Sequence, residues 1–462
     1  MRNLVKNTVL LVDLYELTMA QSYFIHKPDT RATFELFVRN LGKKRSFLLA
    51  AGLEDILDYI KNLRFSDEHI NYLKKQKLFS DKFLKYLKNF RFNGDIWAMP
   101  EGTICFANEP VLRVTANIIE AQILESFCLN TINLQTMIAS KAARVVLAAQ
   151  GRGVFDFALR RTQGTDAAIK AARSSYLAGC GGTSNVLAGL KFNIPVVGTM
   201  AHSFVMAFDT EVESFCAYSR VFPDKTTLLV DTYDTKKGIE NAMRIGRFLK
   251  EKGHRLMAIR LDSGDLVTLS KMARKMLNSA GLEYVKIFAS GNLDEYKIDA
   301  LLKKGAQIDN FGVGTHMGVS SDAPYLDVIY KLSEISHHDG RFLPTMKLSQ
   351  GKVTYPGRKQ VFRMKDKSGK YVKDTLALED EKVKGEPLLI KVVSKGKIIY
   401  QAPPLIELRK RATLNLLGLP AKFKQVYSKG NYPVVISPKL KKLTLSLACD
   451  LERKQTEDIG HG

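Results

Sequence analysis

From about residue 154 the chain alternates short runs of β-branched and aromatic residues with longer stretches that are apolar at helical spacing. The short runs at 154–157, 195–197, 227–230, 256–261, 286–289 and 307–311 predict strands. Alternation at this interval predicts βα units around a parallel sheet. The first 135 residues follow a mixed pattern: a helix over 10–24, a strand over 33–38, helices from 48 to about 87, and strands over 95–106 and 111–115. The stretch 118–149 is apolar at helical spacing and nearly free of Gly and Pro, which predicts a long helical region leading into the alternating part. Beyond about 323, strand-like segments return at 326–335, 360–364, 388–393 and 397–400 and are expected to rejoin the N-terminal sheet. Helical segments follow at 406–417 and 439–449. The expected organisation is therefore an N-terminal mixed α/β domain over 1–135 completed by strands from about 325–400, an α/β domain over 150–322, and a basic, partly helical extension over 401–462.

Polar residues gather where the strands of the middle part give way to loops. In order these are Asp156 and Arg160, Ser184 after Gly181-Gly182-Thr183, Thr199 and His202, Asp231, Arg260 with Asp262 and Ser263, Ser290 with Gly291, and Gly312 with Gly314 and Thr315. A barrel builds its site in this way, at the C-terminal rim and from several strands, whereas an open doubly wound sheet concentrates such residues at one switch point. The fold expected is an irregular TIM-like α/β barrel with a second mixed α/β sheet domain and a helical C-terminal extension.

Composition narrows the class. At 45% apolar and 25% charged residues over 462 positions, the chain has the balance of a folded globular protein, which excludes collagen-like, mucin-like and mainly disordered chains. No uncharged apolar run approaches the roughly 18 residues of a membrane helix, and Val9 to Val12 is cut short by Asp13, so a cytoplasmic location without membrane attachment is expected. Five scattered cysteines with no C-x-x-C pair argue against a disulfide framework and a structural zinc site. The formal charge of +23 is concentrated late: from Arg341 onward 26 Lys and Arg face 11 Asp and Glu, a surplus of 15. These lysines are scattered among apolar residues without a compact basic and aromatic block, which favours a solvated surface over a nucleic-acid site.

Four groups of residues carry candidate chemistry. Ser290-Gly291-Asn292 and Gly312-Val313-Gly314-Thr315 follow adjacent late strands, and glycines that let backbone amides surround an oxyanion, with a hydroxyl beside them, resemble a phosphate cradle. Either turn alone is more often only a turn. Arg260 and Asp262, two apart on a strand, share a face, where charge directed into a barrel is costly without a ligand. A local salt bridge is the plainer alternative, and Asp265 reads as the cap of the next helix. His202 fits a structural role, a nucleophile or a base, and no second His or Cys at ligand spacing supports a metal site. Phe157 and Arg160 offer an aromatic face and a guanidinium suited to a flat anionic ring, although Phe157 fits a core position equally well.

Together these segments resemble the nicotinate phosphoribosyltransferase family. The resemblance rests on Asp13-Leu-Tyr15-Glu-Leu-Thr18-Met19, Phe155 to Arg161, Gly198 to Ser203, Ile259 to Asp265, Ser290 to Glu295, Phe311 to Thr315, and Lys347-Leu-Ser with Pro356 to Val361, in that order and nearly end to end. It implies an irregular barrel, a separate sheet domain and active sites shared across a homodimer, with nicotinate, phosphoribosyl pyrophosphate and ATP as substrates and Mg²⁺ bound with the pyrophosphate. By position, His202 matches the histidine phosphorylated by ATP, and Arg260 and Arg160 match arginines of the base and phosphate sites. Phe157 matches the aromatic that stacks on the pyridine ring, and Tyr15 the aromatic offered by the partner subunit. Thr199 is implied as a nicotinate neighbour, Thr315 as a phosphoribosyl contact, and Asp231 and Asp262 as acids near the ribose and the Mg²⁺-pyrophosphate. Asn292 stands where relatives often carry Asp. The chemistry implied is displacement of pyrophosphate by the pyridine nitrogen, which needs no general base but does need positioning by a bidentate arginine contact. The nicotinamide-using relative carries Asp at the position of Ser184, where a carboxylate would repel an acid substrate, so Ser184 points to nicotinate. The quinolinate-using relative lacks the ATP-linked histidine. The reading from another class is a basic nucleic-acid-binding protein that has lost catalysis.

Overall fold

The computed structural model describes residues 8–336, 339–348, 354–427 and 430–459. Ser349, the last residue of the Lys347-Leu-Ser segment of the resemblance, lies outside the described residues. The chain forms two compact units. One contains Met1–Met137, Tyr325–Phe423 and Lys429–Gly462, and the other Ile138–Pro324 with Lys424–Ser428.

In the first unit a seven-stranded antiparallel sheet is built around Arg31–Val38, which pairs with Val328–Ser336 on one side and Pro110–Asn117 on the other. Seven of the eight residues of Arg31–Val38 are buried, so both of its faces are covered, and Phe34 stacks on Tyr330 with ring centroids 4.9 Å apart. Asp95–Ala98, Ile390–Ser394 and Lys397–Ile398 extend this sheet. Three of the returning segments thus rejoin the N-terminal strands, but Lys359–Lys365 does not. It pairs with Tyr371–Leu378 in a separate four-stranded sheet, across which Arg363 and Asp374 form a fully buried ion pair, Nε to Oδ1 3.0 Å. The helical region expected from residue 48 begins instead with a short strand, Leu48–Leu49, paired to Ile104–Cys105. Three helices follow (Leu53–Asn62, Asp67–Lys75 and Asp81–Lys88), the last two begun by the capping hydroxyls of Ser66 and Ser80.

The second unit contains a six-stranded, entirely parallel sheet. Its order is Gly182–Thr183, Gly153–Asp156, Asn310–Val313, Lys286–Ala289, Ala258–Leu261, Thr227–Leu229, so all strand C-termini lie along one edge. Helices Thr165–Leu177, Thr235–Glu251, Leu266–Ser279 and Glu295–Lys303 lie between successive strands, and Asp234, Asp265 and Asp294 cap three of them through backbone amides. The expected strand at 195–197 reduces to a single bridge, Thr183 to Val196, since Pro195 has no N–H to give a ladder. Among the described residues no ladder joins Val196 to Thr227–Leu229. That stretch of the rim is spanned by a side-chain bond, His202 Nδ1 to Thr232 Oγ1 at 3.1 Å. The late strand is also displaced from expectation: Gly312 and Val313 belong to Asn310–Val313, which places Gly312 inside the sheet rather than in a turn.

Candidate active site

Arg260, on the strand Ala258–Leu261, organises the C-terminal edge of the parallel sheet. Its Nε donates to Ser290 Oγ (2.8 Å), Nη1 to Thr199 Oγ1 (3.0 Å) and the Met200 carbonyl (3.4 Å), and Nη2 to Asp262 Oδ1 (2.6 Å). Of the five guanidinium N–H groups this leaves one, on Nη2. A bidentate grip on a carboxylate is therefore unavailable unless Thr199 or Met200 releases Nη1. The guanidinium lies over the Phe157 ring, 5.6 Å from its centroid.

The neighbouring acids are held by the way the strands end. The ladder between Thr227–Leu229 and Ala258–Leu261 stops at Leu229 and Arg260, and the next free amide, that of Asp262, donates to Asp231 Oδ2 at 2.8 Å. The Ser263 hydroxyl donates to the same oxygen at 2.7 Å, whereas Asp231 Oδ1 is buried with no hydrogen-bond partner among the described residues. Burial acts to raise the pKa of Asp262, but the Ser290 hydroxyl and the Arg260 cation outweigh it and hold the carboxyl below the usual range, so the group is ionised at neutral pH. His202 opens the short helix His202–Met206. Thr232 holds its Nδ1, Nε2 stands 4.0 Å from Asp262 Oδ2, and the side chain is 42% exposed.

Two aromatic rings floor this cluster. Phe157 stacks against Phe288 with centroids 5.6 Å apart, and a Cβ on Gly312 would lie 2.8 Å from both rings. Gly312 is thus required for close packing of the rings, a different reason from the phosphate turn expected of it. Ser184 is positioned by Asp156: its amide donates to the Asp156 carbonyl (2.8 Å), while the Asp156 carboxylate is bonded by Thr183 Oγ1 (2.7 Å) and the Ala158 amide (2.9 Å). Burial pushes the Asp156 carboxyl up despite those two bonds. The Ser184 hydroxyl has no hydrogen-bond partner among the described residues and is partly exposed.

The structure thus brings together Arg260, Asp262, Asp231, His202, Thr199, Ser290 and Phe157 through direct contacts. Arg160, in the short turn Leu159–Arg161, is exposed and makes no hydrogen bond or ion pair among the described residues. Asn292 is exposed in the left-handed region (φ 52°), its carbonyl bonded by Lys297 Nζ at 2.8 Å, and Gly314 precedes the short helix that Thr315 opens. Tyr15 belongs to the other unit, where it is 46% exposed on the helix Leu14–His26 and hydrogen-bonded to Glu125. Beside it, burial pushes the Glu16 carboxyl up to about 8, against the opposing effect of its bond from the Ser126 hydroxyl. Sequence reasoning missed Thr232 and Phe288 as members of the cluster. Each sits at a strand end or on a strand beside a residue that was chosen, and that placement was the available signal.

Comparison with known proteins identifies the family. Residues 10–133 match the nicotinate phosphoribosyltransferase N-terminal domain, 153–342 the nicotinate phosphoribosyltransferase family, and 382–444 the nicotinate phosphoribosyltransferase C-terminal domain. The chain is 49% identical over 433 residues to nicotinate phosphoribosyltransferase pncB2 of Mycobacterium tuberculosis, covering 93% of this chain and 92% of that one. It is 38% identical over 460 residues to nicotinate phosphoribosyltransferase of Bacillus subtilis, with the same shares covered. Among solved structures, human nicotinic acid phosphoribosyltransferase superposes with a TM-score of 0.83 at 29% identity, covering 94% of this chain and 99% of that one. With matches of this extent along nearly its whole length, the chain belongs to the nicotinate phosphoribosyltransferase family.

Proposed function

We propose that this chain joins nicotinate to phosphoribosyl pyrophosphate, giving nicotinate mononucleotide and pyrophosphate, and that ATP hydrolysis is coupled to the reaction through phosphorylation of His202. The observation that carries this reading is the single cluster formed by an aromatic face, a guanidinium, two carboxylates and a partly exposed histidine at the C-terminal edge of one parallel sheet. The pyridine ring stacks on Phe157, with its carboxylate directed at the remaining Nη2–H of Arg260 and at the Ser184 hydroxyl. Departure of pyrophosphate builds positive charge on the ribose, and the ionised Asp262 with Asp231 supplies the opposing charge. The phosphate groups are assigned to the turns of Ser290, Gly291 and Asn292 and of Gly314 and Thr315, with Arg160 as a free cation nearby.

Mg²⁺ fits this site as a companion of the pyrophosphate. Among the described residues no three His, Cys, Asp or Glu side chains converge to hold a metal alone, yet Asp231 offers a buried carboxylate oxygen without a partner, a hard donor of the kind Mg²⁺ takes alongside phosphate oxygens and water. Asp231 and Asp262 would hold it, and the ion would neutralise charge on the leaving group. We assign Tyr15 to the active site of a second copy of the chain, as its exposure on the first helix allows.

Incubation with nicotinate, phosphoribosyl pyrophosphate, Mg²⁺ and γ-labelled ATP is expected to yield nicotinate mononucleotide and an acid-labile, base-stable protein adduct. The adduct should vanish in His202→Ala while weak ATP-independent synthesis persists. Label retained by that variant, or nicotinamide consumed in place of nicotinate, would overturn the assignment. Ser184→Asp tests the choice of substrate. A carboxylate there repels the acid and accepts from an amide, so kcat/KM for nicotinate should fall at least about tenfold, near 1.4 kcal/mol, with relative use of nicotinamide rising. An unchanged acid-to-amide ratio in steady-state kinetics would place position 184 away from the ring substituent.

A further inference from the structure

Among the buried charged side chains of the second unit, four form one cluster outside the reacting group described above. Lys141 and Arg144 project from the C-terminal half of the helix Glu125–Ala148, and Glu295 and Asp322 face them; all four are at least nine-tenths buried. Lys141 Nζ bridges Glu295 Oε2 (2.5 Å) and Asp322 Oδ1 (2.8 Å), while Arg144 Nε binds Glu295 Oε1 at 3.0 Å. Taking four charges out of water is expensive, and apolar residues of the same volume often give equal or greater stability, so such a group is better read for what it positions than for what it stabilises.

Its two acids follow the two candidate phosphate turns in the chain. Glu295 is the first residue of the helix Glu295–Lys303, which follows Ser290-Gly291-Asn292, and Lys297 Nζ ties that helix back to the Asn292 carbonyl at 2.8 Å. Asp322 ends the tight segment that begins at Thr315. Bonds from the Val319 amide to the Thr315 carbonyl (3.1 Å), from the Ser321 amide to the His316 carbonyl (3.2 Å) and between His316 Nδ1 and Ser321 Oγ (2.7 Å) leave that segment little freedom. A shift of either acid is therefore passed to its turn.

We propose that Lys141 is a positioning residue for phosphoribosyl pyrophosphate: by bridging Glu295 and Asp322 it fixes the spacing between the 290–292 turn and the 314–315 turn, an inference that rests on the reading of those turns as the phosphate site. The test uses Lys141→Met with Asp322→Asn, which removes the bridge and takes out one charge of each sign. Steady-state kinetics of the full-length protein should show KM for phosphoribosyl pyrophosphate raised about tenfold, with KM for nicotinate within about twofold of the parent. A purely structural role would move both constants together with the unfolding temperature, and that result overturns the proposal. Thr315→Val, measured in parallel, separates the two claims. If it raises KM for phosphoribosyl pyrophosphate and the double variant does not, the bridge is refuted while the turn assignment stands. If neither variant changes that constant, both are refuted.

Discussion

Arg260→Ala is expected to lower kcat/KM for nicotinate by about three orders of magnitude, the equivalent of about 4 kcal/mol, within the range for deleting one member of a buried, hydrogen-bonded charge pair. The loss has two parts. The smaller is direct, because only one guanidinium N–H is left over for the substrate carboxylate once Ser290, Thr199, Met200 and Asp262 have been served. The larger is indirect: without the cation Asp262 loses its charged partner and keeps the bond from the Ser290 hydroxyl, Thr199 and Ser290 lose the donor to their hydroxyl oxygens, and Phe157 loses the charge over its face. Arg260→Lys should recover little, since one ammonium cannot reach Ser290, Thr199 and Asp262 in the fork geometry that the guanidinium spans. Kinetics on both variants, with circular dichroism to verify folding, decide the matter. A loss below tenfold in Arg260→Ala would remove Arg260 from the centre of the site.

The hub could be anticipated because its members occupy one repeated position, the point where a parallel strand runs out, and the spacing of apolar runs fixes where that point falls. This is why Asp231, Asp262, Ser290 and Thr199 were legible as neighbours although far apart in sequence. Legibility fails where tertiary contact, not local pattern, decides. Residues 310–313 complete the parallel sheet with Gly312 packed against Phe288, on a neighbouring strand, and Phe157, just past the end of another, and nothing local to Gly312 announces either ring. Leu48 and Leu49 read as the start of a helix, yet they pair with Ile104 and Cys105 more than fifty residues away. Lys359–Lys365 reads as a strand like those that rejoin the first sheet, yet its ladder partner is Tyr371–Leu378, with Arg363 and Asp374 buried across the pair. The same reasoning applies to Lys141 and Arg144. Two cations three apart in an apolar helix signal a buried partner, but the partners lie more than 150 residues on.

Gly291→Ala should disturb both stability and catalysis, and Gly281→Ala provides its internal control. Both glycines hold φ in the left-handed region, +96° at Gly291 and +68° at Gly281, where an L side chain costs about 1–2 kcal/mol. They differ in their surroundings. A Cβ at Gly281 meets nothing within 4 Å, whereas one at Gly291 would stand 1.9 Å from the Asp262 carbonyl oxygen, a backbone atom that cannot swing aside like a flexible side chain. Gly281→Ala should therefore lower stability by about 1 kcal/mol and leave kcat/KM unchanged. Gly291→Ala adds an overpacking cost of about 1–3 kcal/mol and must push the Asp262 main chain away from Gly291. That movement draws the Asp262 carboxylate off Arg260 and Ser290 and its amide off Asp231, so kcat/KM for both substrates should fall at least about tenfold. Denaturant unfolding and steady-state kinetics on the two variants side by side isolate the contact from the conformational cost they share. Equal losses in the two proteins would mean that the approach of Gly291 to Asp262 does not hold the site together.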